Sequence, residues 1–221
     1  MSNALFDPIK TQSKVTDSVI VAFSGGKDAI VTLDLCCKYF KNVKAFFMYS
    51  VKGLEYQEKV LRYYENRYDI EIERVPHFLL GEQLKRGYFT RWDLSIPTTT
   101  QTEMFDFVRD RFGIEWIAGG ERASDSIMRR AFINKHGSID NKSKRFYPIA
   151  YWNKNEVLQY IKYKKLYLGK AMRDLGNSAN GLDGETLTYI KENFPDDYEK
   201  ILKMFPFIGS RVVRFNEYGK K

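Results

Sequence analysis

Five consecutive residues, Ser24-Gly25-Gly26-Lys27-Asp28, have the types and order of a loop that binds phosphate. Two glycines permit a tight turn and remove the Cβ atoms that would hold an anion away from backbone N–H groups. Ser24 adds a hydroxyl donor and Lys27 a mobile cation. Asp28 is the odd member, because a carboxylate repels phosphate. It fits as a residue that recruits Mg²⁺ or caps the helix that follows. The pattern is neither G-x-x-x-x-G-K-S/T nor G-x-G-x-x-G, so its force comes from position: a β-branched apolar run precedes it and a helical pattern follows.

A second constellation, Gly119-Gly120-Glu121-Arg122-Ala123-Ser124-Asp125-Ser126-Ile127-Met128-Arg129-Arg130, has the same logic. Glycines at a strand end allow close approach of a ligand, and guanidinium forks suit phosphate or sulfate oxygens. Arg122, Arg129 and Arg130 in such an array are placed to stabilise charge developing on a phosphate in flight. The plainer alternative is a helix cap at Ser124 with surface arginines. His77 and His136 have no partner visible in the sequence. Glu55 reads as a helix-cap acid or a substrate-side group.

Around these residues the pattern predicts strands over 18–23, 43–49, 70–75 and 115–118, with a short one at 147–149. Helices are predicted over 29–40, 56–68, 101–112 and 154–163. Residues 1–16 read as a loose polar lead-in, and 81–100 as a long irregular connection around Trp92. This alternation implies an α/β fold with a doubly wound, mainly parallel sheet, whose ligands sit beyond the carboxyl ends of the strands. The expected organisation is a nucleotide-binding domain over 1–170 and a small helical extension over 171–221.

With these motifs in view, the chain resembles the PP-loop ATP pyrophosphatase superfamily. More narrowly, it is similar to phosphoadenosine phosphosulfate (PAPS) reductases and the small subunit of ATP sulfurylase. The resemblance rests on the Ser24–Asp28 loop, the Gly119–Arg130 segment, and Pro148-Ile149-Ala150-Tyr151-Trp152 ahead of a helix, in that order. The tail over 181–206 resembles phage- and plasmid-borne relatives. The resemblance implies an adenine nucleotide α-hydrolase-like fold and an ATP or PAPS ligand with Mg²⁺. Lys27 and Asp28, with Arg122 and Arg129, would then be catalytic. Ser24, Gly25, Gly26, Gly119, Gly120 and Arg130 would contact the nucleotide, and Tyr49-Ser50 would lie beside the adenine. Two departures stand out. Ala29 replaces the serine that many relatives carry after the Asp, and no cysteine follows Cys37. Reductases of this family use a C-terminal cysteine, whose reactivity Ser or Tyr does not match.

Composition bounds the rest. The chain has 221 residues, 43% hydrophobic and 29% charged, with no apolar run of transmembrane length. No signal-peptide core is seen, and a cytoplasmic protein without a membrane partner is expected. Two adjacent cysteines and two histidines are too few for a zinc site or an iron–sulfur cluster. Net charge is +8, concentrated over 122–173, where thirteen Lys/Arg face three acids. Residues 182–201 reverse the sign, with six acids against two lysines. A basic middle third suits a polyanion: a nucleotide, a nucleic acid, or both in succession. Tyr160, Tyr163 and Tyr167 beside the lysines read as core residues or as stacking platforms. The leading expectation is an ATP-using enzyme that adenylylates an anionic acceptor and releases pyrophosphate. The acceptor is sulfate or a nucleic-acid group, and a partner protein or a homodimer is open. The alternatives are an adenylate-binding module without chemistry, or a nucleic-acid-binding protein.

Overall fold

The computed structural model describes residues 3–219. The first strand, β1 (Ser18–Ala22), is apolar and β-branched because it is covered on both sides, as a central parallel strand must be. It pairs in parallel with β2 (Asn42–Tyr49) on one side and β4 (Ile117–Ala118) on the other. β3 (Ile72–Pro76) extends the sheet beyond β2. β6 (Arg145–Phe146) adds in parallel beyond β4, and β5 (Ile139–Asp140) closes that edge antiparallel to β6. The strand order is therefore β3-β2-β1-β4-β6-β5, and the winding reverses between β1 and β4, where open α/β sheets bind their ligands. This is the α/β, mainly parallel, doubly wound sheet that the alternation implied.

One face of the sheet is covered by α2 (Lys27–Tyr39), α3 (Glu55–Tyr68) and α7 (Lys154–Lys164), around Val19, Val21, Ala45, Phe47, Leu33 and Trp152. The other face packs Ile20, Phe46 and Ile117 against α5 (Gln101–Phe112). Both α5 and α7 begin with a full capping box, Thr100 with Glu103 and Asn153 with Glu156.

Three sequence readings are corrected. Residues 1 and 2 lie outside the described residues, but 3–16 are not a loose lead-in. A 3₁₀ turn (Asn3–Phe6) and α1 (Asp7–Gln12) bury Ile9, and the Leu5 carbonyl accepts a bond from Trp152 Nε1 at 2.8 Å. Six helical residues are too few to show a period, which is why the pattern hid them. The last parallel strand is Arg145–Phe146 rather than 147–149, and its hairpin partner β5 was not foreseen. The 81–100 connection begins with a short helix, α4 (Leu80–Lys85), before it becomes irregular.

After α6 (Ile127–His136) and α7, four helices follow among the described residues: α8 (Lys170–Leu175), α9 (Gly184–Asn193), α10 (Pro195–Met204) and α11 (Gly209–Tyr218). Their apolar faces share one cluster with Val51, Leu54, Tyr56 and Leu80 from the first part of the chain. Asp197, 2% exposed, reaches from α10 to accept the Glu55 and Tyr56 backbone N–H groups at 2.8 and 3.0 Å. It thereby caps α3, whose own N-cap residue, Leu54, has no side-chain acceptor. Among the described residues no helix is long and apolar enough to cross a membrane.

Candidate functional site

A cleft of about 680 Å³ opens at the carboxyl ends of β1, β2 and β3. Its floor includes Ala22, Phe46 and Met48, and its walls hold Ser24, Asp28, Gly120, Asp125 and Arg129. The two glycine-rich turns therefore meet where the sheet winding reverses. Gly25 sits at φ +71, in the left-handed region that glycine enters without strain, and turns the chain from β1 into α2. Gly26 is the N-cap of α2, and its N–H lies 3.4 Å from Ser24 Oγ. The first-turn amides of α2, with the positive end of its dipole, therefore lie at the cleft.

Gly120 lines the cleft and also has a packing task. A Cβ there would sit 3.1 Å from the Asp28 carbonyl carbon and from the Ala29 nitrogen. The missing side chain lets the second turn lie directly on the start of α2. Gly119 continues the sheet, donating to the Phe146 carbonyl at 2.9 Å.

That contact brings together a chain of alternating charges. Lys27 Nζ lies 2.6 Å from Asp28 Oδ2, and Arg122 Nε lies 2.9 Å from Asp28 Oδ1. The second contact is an ion pair without hydrogen-bond alignment. Arg122 continues through Nη2 to Asp125 Oδ1 at 2.5 Å, and Asp125 Oδ2 meets Arg129 Nη1 at 2.9 Å. Asp125 also accepts the Arg122 backbone N–H at 3.0 Å. The Arg122 side chain is only 5% exposed, and its Nη1 has no hydrogen-bond partner among the described residues. A buried guanidinium edge without an acceptor is costly; Arg122 lies behind the cleft wall and touches it through Asp28 and Asp125, which do line it.

The residues present do not form a resident Mg²⁺ site. Both Asp28 oxygens face cations, and no group of three His, Cys, Asp or Glu is placed to hold a metal among the described residues. Asp28 instead orients Lys27 and Arg122.

Several expected residues lie elsewhere. Ser50 lines the cleft, but Tyr49 packs against the main core, since neighbouring strand residues face opposite ways. The Tyr49 carbonyl accepts the His77 N–H at 2.8 Å. Arg130 is exposed on α6, its Nε 3.4 Å from the Ala123 carbonyl. Glu55 pairs with Arg62 at 2.5 Å. His136 stacks on Phe132 with ring centroids 4.7 Å apart. Tyr160 donates to Asp34 at 2.6 Å within the core, and Tyr167 packs on Tyr63, while Tyr163 is exposed. Burial pushes the Cys36 thiol well up, and burial with Asp34 nearby raises the half-buried Cys37 to about 12, both away from the thiolate.

Other cleft residues carried no sequence signal. His77 lines the cleft; burial lowers its pKa, and its Nδ1 accepts the Leu79 N–H at 3.2 Å, which leaves the neutral ring's proton on Nε2. Asn180 donates to the Ser24 carbonyl at 2.7 Å and accepts from Gln57 at 3.1 Å, so it ties the phosphate loop to α3. Arg211 reaches the cleft from α11. These residues come from distant parts of the chain and follow no short motif.

An uncharacterised protein of Methanocaldococcus jannaschii is 30% identical over 212 residues, matching 86% of this chain; the chain spans 42% of that relative's length. Among solved structures, a PAPS reductase from Candida auris in complex with phosphate is 14% identical and covers 80% of this chain and 93% of its own, with a TM-score of 0.49. The U34-tRNA thiolase NcsA from Methanococcus maripaludis is 17% identical and covers 91% and 78%, with a TM-score of 0.48. The phosphoadenosine phosphosulfate reductase domain model matches residues 18–171. That segment takes in β1, the phosphate loop, the second glycine turn and the Pro148–Trp152 element, and by it the chain belongs to the phosphoadenosine phosphosulfate reductase domain family.

Proposed function

We propose that this protein binds ATP in the cleft and transfers its adenylyl group to an anionic acceptor, with pyrophosphate as the leaving group. The observation that carries the reading is the meeting of two glycine-rich turns over the β1/β4 switch point, with the unsatisfied Arg122 edge between them. An acceptor oxygen would form a bond to the α-phosphorus as the bond to the bridging oxygen of the β-phosphate breaks. The Ser24–Asp28 turn would hold the departing pyrophosphate on backbone amides and Lys27. Arg122 and Arg129, oriented by Asp28 and Asp125, would face the charge that builds on the equatorial oxygens. The chain offers no paired nucleophile and base there, so its contribution is positioning and electrostatics. Any Mg²⁺ arrives as the counterion of the nucleotide's own phosphates.

Thiol-based reduction does not fit this chain's own residues. Both cysteines lie on α2, Cys36 buried and Cys37 half-buried, and neither lines the cleft. Sulfate and a nucleic-acid or nucleobase group are the acceptor classes we propose, with Arg129 and Arg211 as the cationic side chains that line the cleft. Incubation with α-labelled ATP, Mg²⁺ and each acceptor class should give labelled adenylyl product or AMP with pyrophosphate. Production of ADP and phosphate alone sinks the reading, as does unchanged ATP affinity after Gly26→Leu.

A further inference from the structure

The family match ends at residue 171, yet the cleft is walled by residues well beyond it. Asn180, Leu182, Phe205 and Arg211 all line it. The charges around the cleft are unequal in kind. Each lining carboxylate is engaged: Asp28 by Lys27 and Arg122, Glu121 by Arg145 at 2.8 Å, and Asp125 by Arg122 and Arg129. Two cationic side chains line the cleft, Arg129 and Arg211. Arg129 is held by Asp125; Arg211 is engaged by no carboxylate among the described residues.

The fold spends several features on placing Arg211. Its guanidinium lies over the Phe89 ring, 4.7 Å from the centroid, and its Nη1 donates to the Leu182 carbonyl at 3.1 Å. Phe89 is itself held at φ +56, a left-handed conformation that costs a bulky residue energy and is characteristic of functional positions. Its carbonyl accepts the Phe207 N–H at 2.9 Å, which ties the chain just before α11 to the segment after α4. At the other side, Gly184 lets α9 lie against α11. A Cβ there would come within 2.9 Å of the Arg211 carbonyl and 2.6 Å of Phe215 Cβ. A stacked, backbone-anchored arginine with no counter-ion is the form in which a protein holds a fork ready for an oxyanion.

We infer that Arg211 is an anion-binding residue of the cleft, delivered by the C-terminal helices to a tetrahedral oxyanion of the bound substrates. This rests on the nucleotide reading of the cleft. The oxyanion belongs either to the nucleotide's phosphate chain or to an acceptor such as sulfate.

Calorimetric titration of the full chain with ATP, pyrophosphate, sulfate and adenosine tests it, using wild type, Arg211→Gln and Arg211→Met. Either variant suffices if the other melts early. The expected result is a Kd raised tenfold or more for at least one oxyanion, with adenosine affinity unchanged. Loss confined to ATP and pyrophosphate places the arginine on the phosphate chain; loss confined to sulfate places it on the acceptor. Arg211→Lys should recover only part of the affinity, because an ammonium neither stacks flat on Phe89 nor offers a fork. Wild-type binding of ATP with unchanged Kd values in the variants overturns the inference and leaves the nucleotide reading standing. Binding of sulfate that depends on Arg211, without any binding of ATP or adenosine, does the reverse. A wild type that binds no oxyanion overturns both.

Discussion

At the scale of single residues, Arg122 offers the first test of the proposed site. Its side chain is enclosed between two carboxylates, so its removal leaves Asp28 with Lys27 and Asp125 with Arg129 as their remaining cationic partners. Breaking a buried pair by deleting one partner costs about 3–5 kcal/mol. Arg122→Met should therefore lower unfolding stability by about that amount in urea titration and abolish nucleotide binding. Arg122→Lys should recover less than half, since a compact ammonium does not reproduce the fork that reaches Asp28 through Nε and Asp125 through Nη2. His77 gives a second test. Burial lowers its pKa below the ordinary value of 6.5, so the unfolded chain takes up this proton more readily than the folded one. The stability linked to the neutral ring is complete above pH 6.5 and is lost as pH falls through the lower folded pKa. Protonation at Nδ1 also breaks the bond from the Leu79 N–H. The urea midpoint of wild type should drop on acidification from pH 6.5, and His77→Gln should flatten that drop. Equal slopes would remove His77 from the account.

At the scale of elements, what was legible in the sequence follows from how locally each feature is determined. The strand at 18–22, the glycine turn and the helix after it are fixed by a contiguous apolar run, two glycines and a helical period. So are α5 and α7, whose capping boxes lie within four residues. Features that were missed depend on distant partners. Gly120 reads as a ligand-facing glycine and does line the cleft, but its packing against a helix start some ninety positions earlier left no local signal. The start of α3 carries no cap in its own sequence, because Asp197 supplies it from 142 residues away. Each yields a test. Gly120→Ala places a methyl group 3.1 Å from backbone atoms of Asp28 and Ala29, which cannot rotate aside. A cost of about 1–3 kcal/mol is expected from such overpacking, with nucleotide affinity falling more than stability, as the two turns are pushed apart. Asp197→Ala removes a cap and one partner of the Lys200 ammonium, which lies 2.9 Å from the carboxylate and keeps the Gly53 carbonyl at 2.7 Å. A loss of about 1–2 kcal/mol is expected, read from thermal unfolding, and a change within error would show that α3 is capped otherwise.

At the scale of the whole molecule, the question is whether the last fifty residues form an appendage or a wall of the site. The sequence divides naturally near residue 170, where the basic stretch gives way to an acidic one. The packing joins the two parts. Val51, Leu54, Tyr56 and Leu80 are all nearly inaccessible because helices from the C-terminal part cover them. Tyr56 also donates to the Ala179 carbonyl at 2.7 Å, and Asn180 holds the phosphate loop by its Ser24 carbonyl. Burial of one large apolar side chain contributes about 1.5–3 kcal/mol. Four such side chains, together with the Asp197 cap, amount to much of the 5–15 kcal/mol that typically stabilises a domain. A chain ending at Lys170 should therefore lose its cooperative melting transition, bind an apolar dye and fail to retain ATP. A truncated chain that stays monomeric, melts within about 5 °C of the full-length protein and binds ATP equally well would show the opposite: a complete nucleotide site within the family-matched segment, with Arg211 and its helices a later addition that the cleft does not need.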